Sequence, residues 1–308
     1  MVWILLEMLL LAAAAAVLSY RCFRDTFYCA ENHRPDPFAP IRSRHQLPYA
    51  DRIRSGTAAM ASRPCEEITV TATDGTSLFG RYYGGPADRP LAILFHGYRS
   101  TAFRDCYGGL ELADKLGYRV LAVDQRAHGR SGGTVITFGI RERLDCLCWA
   151  DYAQAHLAKG QPILLAGVSM GAATVLMAAD LPLPDSVCGI IADCPYTAPD
   201  RIIRTVCRSR RFPSACLYPF IALGARLFGG FRLTEASALR AVAGTRLPIL
   251  LIHGEADGFV PCAMSRKLHA AAPTSTLVTF PGAAHALSQK TDPERYEAAV
   301  AAFLAALS

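Results

Sequence analysis

The sequence predicts an α/β protein: a doubly wound, mostly parallel sheet with a helical cover insertion and an N-terminal membrane helix. Three observations carry this. Short apolar runs alternate with helix-length stretches from residue 91 to the end. One stretch, residues 197–244, breaks that rhythm. Residues 2–20 are almost wholly apolar. Apolar residues make up 52% of the 308 and charged residues 19%, which excludes a disordered chain and fits strands buried on both faces.

The first element is "VWILLEMLLLAAAAAVLSY", residues 2–20. As a helix it is roughly 28 Å long, close to the thickness of a bilayer core. Arg21 and Arg24 follow the apolar run rather than precede it, whereas a secretory signal has its basic residues first. Residues 1–24 therefore read as an uncleaved transmembrane anchor, with a cleaved signal as the alternative. Arg21, Arg24 and Arg34 on the C-terminal side favour a cytoplasmic domain. Residues 25–48, polar and proline-rich from Ala30 onward, read as a tether, and residues 49–308 as the folded domain.

Within that domain, residues 49–61 suit a leading helix. "EEITVTATDGTSLFGRYYGG" (66–85) alternates apolar and polar residues around Asp74-Gly75, a hairpin signal. Buried parallel strands are expected at 91–96, 118–124, 162–168, 187–193 and 248–254, with a last strand at 275–280. Helices are expected at 105–117, 140–158 and 170–181. A closing helix over 292–307 has Asp292 as its cap and Pro293 at its first position. The excursion at 197–244 is far longer than an ordinary crossover and reads as a cover over a site.

The net charge of +6 is spread along the chain rather than gathered in a basic block, so no nucleic-acid partner is expected. The 11 cysteines include no C-x-x-C pair and suit buried free thiols in a reducing compartment. No G-x-G-x-x-G, Walker loop or metal-spaced histidine pair occurs, so neither a cofactor nor a metal is expected.

The densest chemical signal is "ILLAGVSMGAATVL" (163–176). Gly167-Val168-Ser169-Met170-Gly171 fits the G-x-S-x-G nucleophile elbow, in the strand–turn–helix setting that motif requires. A sharp turn crowds the backbone, and glycines two positions to either side relieve it. A serine needs a base, and the base needs an orienting acid. His285 follows the last strand, and Asp257 follows the strand before it. The order Ser169, Asp257, His285 is the order of this elbow-bearing architecture. Backbone N–H groups of Met170, beside the serine, and of Tyr98, in the turn His96-Gly97-Tyr98, are the candidate oxyanion donors. His96 suits a loop-orienting role. Asp193 follows a strand and is a rival acid; chain order favours Asp257.

These pieces resemble the α/β-hydrolase superfamily of serine hydrolases. More narrowly, the chain resembles its bacterial membrane-anchored Bem46-like branch, grouped with serine aminopeptidases and esterases. The matching segments are Asp74-Gly75, His96-Gly97-Tyr98, "DQRAHGRSGG" (124–133), the elbow, "ADCPY" (192–196), "HGEADGFVP" (253–261) and His285. The resemblance spans roughly residues 49–308. It implies an α/β-hydrolase sheet and an acyl-enzyme reaction on a carboxylic ester or related bond. It also implies a structural role for the 124–133 loop, with Asp124 and Arg126 bracing neighbouring turns. His128 in that loop is a rival base, but placement after the last strand favours His285. Because this superfamily shares one triad among many chemistries, the resemblance does not name the substrate. Two other readings stand beside the esterase: an aminopeptidase or amidase of the same fold, and a non-catalytic, membrane-associated ligand-binding member.

The cover carries Arg201, Arg204, Arg208, Arg210 and Arg211, then Leu217, Tyr218, Phe220, Ile221, Leu227 and Phe228. Basic plus apolar suits an anionic lipid surface or an acyl chain with a negative head, and equally an ordinary solvated helix face beside core; the expected partner is a small-molecule or lipid acyl substrate.

Overall fold

The structure, a computed structural model, describes residues 1–209 and 214–307. In chain order the elements are α1 (Val2–Thr26), α2 (Ala50–Ser62), β1 (Glu66–Thr71), β2 (Ser77–Tyr83), β3 (Leu91–Phe95), α3 (Ala102–Lys115), β4 (Arg119–Asp124), α4 (Glu142–Tyr152), β5 (Ile163–Val168), α5 (Met170–Ala178) and β6 (Val187–Asp193). Then follow α6 (Pro199–Ser209), α7 (Ser214–Leu227), α8 (Ala238–Gly244), β7 (Ile249–Gly254), α9 (Ala263–Ala271), β8 (Ser275–Phe280), α10 (Ser288–Thr291) and α11 (Pro293–Ala305).

The eight strands form one sheet in the order β1-β2-β4-β3-β5-β6-β7-β8. Only β2 runs against its neighbours; β3 to β8 are parallel. The period-2 geometry of a strand explains why the central runs are apolar throughout. Leu91, Ile93 and Phe95 of β3 point to one core, beneath α4, α5 and the cover. Ala92 and Leu94 point to the other, beneath α2, α3 and α11. The chain winds outward from β3, with β4 on one side and β5 on the other. That reversal opens a crevice at the C-terminal ends of the strands, where α/β folds bind ligands.

The hairpin forms where Asp74-Gly75 places it, with Gly75 at φ +82°. α3 begins earlier than the apolar pattern suggests, because the Thr101 side chain accepts from the Arg104 N–H and caps it. The expected 140–158 helix is α4 followed by a π-helical turn over Ala153–Ala158. Asp292 caps α11, with Pro293 at its first position.

α1 is exposed along its first four turns, and it is long and apolar enough to cross a membrane by length and composition. Its last two turns are built into the domain. Ser19 and Phe23 are buried, as is Phe27 just beyond. α1 passes so close to α7 that a Cβ on Gly224 would lie 2.4 Å from the Ser19 carbonyl oxygen. The Phe27 ring meets Phe138 and Phe231 edge-on. Tyr28 then bridges to Val135. Further along, Arg34 donates to the carbonyls of Gly129 (2.8 Å) and Gly133 (3.1 Å), and Arg104 donates to that of Ala39 (3.1 Å). Residues 27–39 are thereby pinned to the domain at several points.

The cover consists of α6, α7 and α8. Ile202, Ile203 and Cys207 of α6 face inward, while Arg201, Arg204 and Arg208 face solvent. Arg204 lies over the Tyr218 ring at 3.4 Å, a cation–π contact. Leu217 and Phe220 are half-buried, Ile221 is buried, and Leu227 and Phe228 are exposed. Arg210 and Arg211 lie outside the described residues. All eleven cysteines are free thiols.

Candidate active site

Ser169 stands at the turn from β5 into α5, with φ +55° and ψ −111°. Few non-glycine residues occupy that region, and such conformations persist only where the surroundings over-determine them. Here the surroundings are backbone. A Cβ on Gly167 would lie 2.3 Å from the Gly171 carbonyl carbon, and one on Gly171 would lie 2.1 Å from the Phe95 carbonyl oxygen. The two flanking glycines let the turn close on itself and on β3. The Ser169 N–H donates to the Asp193 carbonyl at 2.8 Å, tying the turn to β6.

His285 follows β8 and brings its Nε2 to 2.9 Å from Ser169 Oγ. Its Nδ1 lies 2.6 Å from Asp257 Oδ2, so the Nδ1–H donates there and Nε2 is left to accept the serine proton. Asp257 Oδ1 accepts from the N–H groups of Phe259 and Val260, both at 2.8 Å. His253, fully buried on β7, approaches Oδ2 at 3.4 Å while bonding the Val260 carbonyl and Ser265 Oγ. Burial works to raise the Asp257 carboxyl, but hydrogen bonds from His253, His285 and Val260 outweigh it and hold it below the ordinary carboxylate range.

Asp193, the rival acid, is not bonded to His285. Its Oδ1 has no hydrogen-bond partner among the described residues. Burial pushes its carboxyl up to about 6, against the pull of His253, Lys290 and His285. Buried Cys194 sets a thiol within 4.8 Å of the Asp257 carboxylate and the His285 ring. Burial keeps that thiol protonated, and Asp257 and His285 are already bonded to each other.

Met170 opens α5, where the first N–H groups have no intrahelical acceptor. Tyr98 and Gly97 share a pocket of about 400 Å³ with Ser169, His285, Phe259 and Arg99. The Gly97–Ser100 loop is held from behind. His96 donates from Nδ1 to the Gly97 carbonyl and accepts from the Gln125 N–H at Nε2. The Gly97 N–H donates to Asp105 Oδ2 at 2.8 Å. His128 donates from Nδ1 to the Arg126 carbonyl and accepts from the Arg99 N–H at Nε2. Both its ring nitrogens are thereby engaged with backbone, and its ring is edge-on to His96. Arg126 joins Asp74 of the hairpin to Asp145 of α4, and Asp124 joins Arg81 to the Arg130 N–H.

The pocket has a further wall. Pro35, Asp36, Ala39 and Gln46, from the segment between α1 and α2, also line it. Asp105, Arg99 and this wall carry no local sequence signature. Their partners lie eight to seventy-four residues away.

The alpha/beta hydrolase family matches residues 92–299, and the chain belongs to that family. It is 30% identical over 247 residues to YqkD of Bacillus subtilis, covering 78% of this chain and 80% of that protein. It is 26% identical over 229 residues to YfhR of Escherichia coli K12, covering 71% of this chain and 73% of that one. Among solved structures it is similar to the Pyrococcus furiosus esterase Pf2001, with a TM-score of 0.64 and 26% identity over 80% of this chain and 92% of the esterase. The family, the fold and the esterase neighbour support a hydrolase.

Proposed function

We propose that the protein is a serine hydrolase that cleaves a carboxylic ester or related acyl bond through an acyl-enzyme. The observation that carries this is the hydrogen-bonded chain from Ser169 Oγ through His285 to Asp257. Oγ attacks the acyl carbonyl as its proton passes to Nε2 of His285. The negative carbonyl oxygen is met by the N–H groups of Met170 and Tyr98. His285 then gives the proton to the leaving oxygen, and the C–O bond breaks. Water repeats the sequence on the acyl-enzyme: His285 takes a proton from it, hydroxide adds, and Ser169 leaves with its proton restored. Asp257 stays ionised throughout and holds the imidazolium. Ser169→Ala is expected to abolish both p-nitrophenyl ester turnover and fluorophosphonate labelling, with the circular dichroism spectrum unchanged. Labelling retained at the unaltered rate overturns the assignment.

The same proposal makes residues 1–24 a transmembrane anchor whose exposed apolar turns cross the bilayer, with Arg21, Arg24 and Arg34 at its C-terminal side and the catalytic domain on the cytoplasmic side. Alkaline carbonate washing is expected to leave the full chain in the membrane pellet. Release into the supernatant overturns that placement.

A further inference from the structure

The loop that carries Tyr98 does more than turn beside the serine. Its next residue, Arg99, reaches the carbonyls of Asp25 and Tyr28 with one guanidinium nitrogen, at 3.0 Å each. The Tyr98 hydroxyl donates to the Thr26 carbonyl at 2.8 Å. Two of these carbonyls, those of Asp25 and Thr26, belong to the last turn of α1, where helix carbonyls lack intrahelical donors and a cation is favoured, and that of Tyr28 lies two residues beyond it. Two consecutive loop residues therefore fasten the end of the N-terminal helix.

The loop is also constrained internally. Arg99 has φ +49°, and its own N–H is spent on His128 Nε2 at 3.0 Å. Burial and the neighbouring His96 ring hold His128 down to about 3, so Nε2 remains an acceptor. The Tyr98 ring stacks on Phe138, and Phe138 meets Phe27 at the foot of α1. The helix end, aromatic cluster and loop thus form one packed body. Its other side is the Ser19–Gly224 crossing.

We propose that Arg99 and Tyr98 are positioning residues that fasten the oxyanion loop to the end of α1, so that the seating of the N-terminal helix sets the turnover rate. This rests on the serine-hydrolase reading above. A loop released from α1 loses the fixed direction of the Tyr98 N–H, which matters when charge develops on the carbonyl oxygen and little when neutral substrate binds.

The test uses the full chain in detergent micelles, a small p-nitrophenyl ester and a fluorophosphonate probe. Arg99→Ala is expected to lower kcat by about 10- to 100-fold, below the 10²–10³ that outright loss of an oxyanion donor costs. KM stays within about 3-fold, because ground-state binding does not use the donor. Gly224→Val drives a side chain into the Ser19 carbonyl and unseats α1 from the far side, and it is expected to give the same split. The double variant should be no slower than the slower single, since both break one coupling. Tyr98→Phe removes the bond to Thr26 while keeping the ring on Phe138, and carries the test if Arg99→Ala does not fold. Multiplicative losses in the double variant, or unchanged kcat in Arg99→Ala or Tyr98→Phe with Ser169 fully labelled, overturn this inference alone. Absence of Ser169 labelling in the unaltered protein overturns the reading beneath it.

Discussion

β6 and β7 are neighbours in the sheet, and each leads into a buried carboxylate. Asp193 is the last residue of β6, and Asp257 lies three residues past β7. Those three residues make the difference. They let the chain at Asp257 turn back, so that its own following N–H groups, from Phe259 and Val260, converge on one oxygen while His285 and His253 face the other. Asp193, still in the strand, spends its backbone carbonyl on the Ser169 N–H and keeps one carboxyl oxygen unbonded. Two acids of equal burial are thus driven in opposite directions, Asp257 toward ionisation and Asp193 toward protonation. A buried carboxylate takes the charge that its donors support, and the strand end offers fewer donors than the turn.

The largest effect that separates them is on catalysis. Asp257→Asn is expected to lower kcat on the order of 10⁴-fold, the size of the loss for a triad aspartate-to-asparagine change. Asp193→Asn should stay within about 10-fold, since it touches the serine turn through its backbone and not its side chain. Steady-state kinetics on the two purified variants measures this, and a larger loss at Asp193 breaks the contrast.

A smaller effect separates them in stability. The folded state holds the Asp193 proton more tightly than the unfolded chain does, up to about pH 6. Its contribution is therefore fully present below pH 4 and is lost as the pH rises through 6. Asp193→Asn, which cannot ionise, should gain about 1–3 kcal/mol over the native chain at pH 8 and almost nothing at pH 4. Asp257 has the opposite sign: its depressed folded value stabilises the fold above the ordinary carboxylate range and loses that contribution only in strong acid. Urea unfolding at the two pH values checks the sign at Asp193, and a gain independent of pH contradicts it.

The strands were legible because each is a short apolar run bounded by turn residues. The Ser169 elbow was legible because its glycines answer a local steric demand. The choice between Asp257 and Asp193 was legible only through chain order, since both are aspartates following apolar strands and the donors that divide them belong to folded geometry. The end of α1 was the least legible part. An apolar run reads as an anchor whatever its last turns touch, and Phe23, Phe27 and the carbonyls held by Arg99 give no periodic signal of their tertiary partners. The proline-rich stretch after α1 suits a loose linker by composition. Yet Arg34 and Arg104 fix it in place, and four of its residues line the pocket.

The Ser169 turn closes backbone against backbone, at Gly167 on Gly171 and at Gly171 on Phe95. Consider instead Gly108, where an added Cβ would meet the Gln289 side chain, which a shorter residue could replace. A lesion at Gly108 is therefore open to repair by a second substitution at position 289. A lesion at Gly171 has no such remedy, because the atoms it strikes belong to the peptide chain and are the same whatever residue stands at 95. In a genetic screen the two glycines would part company: revertants of the first would include intragenic second-site suppressors, and revertants of the second would restore the glycine.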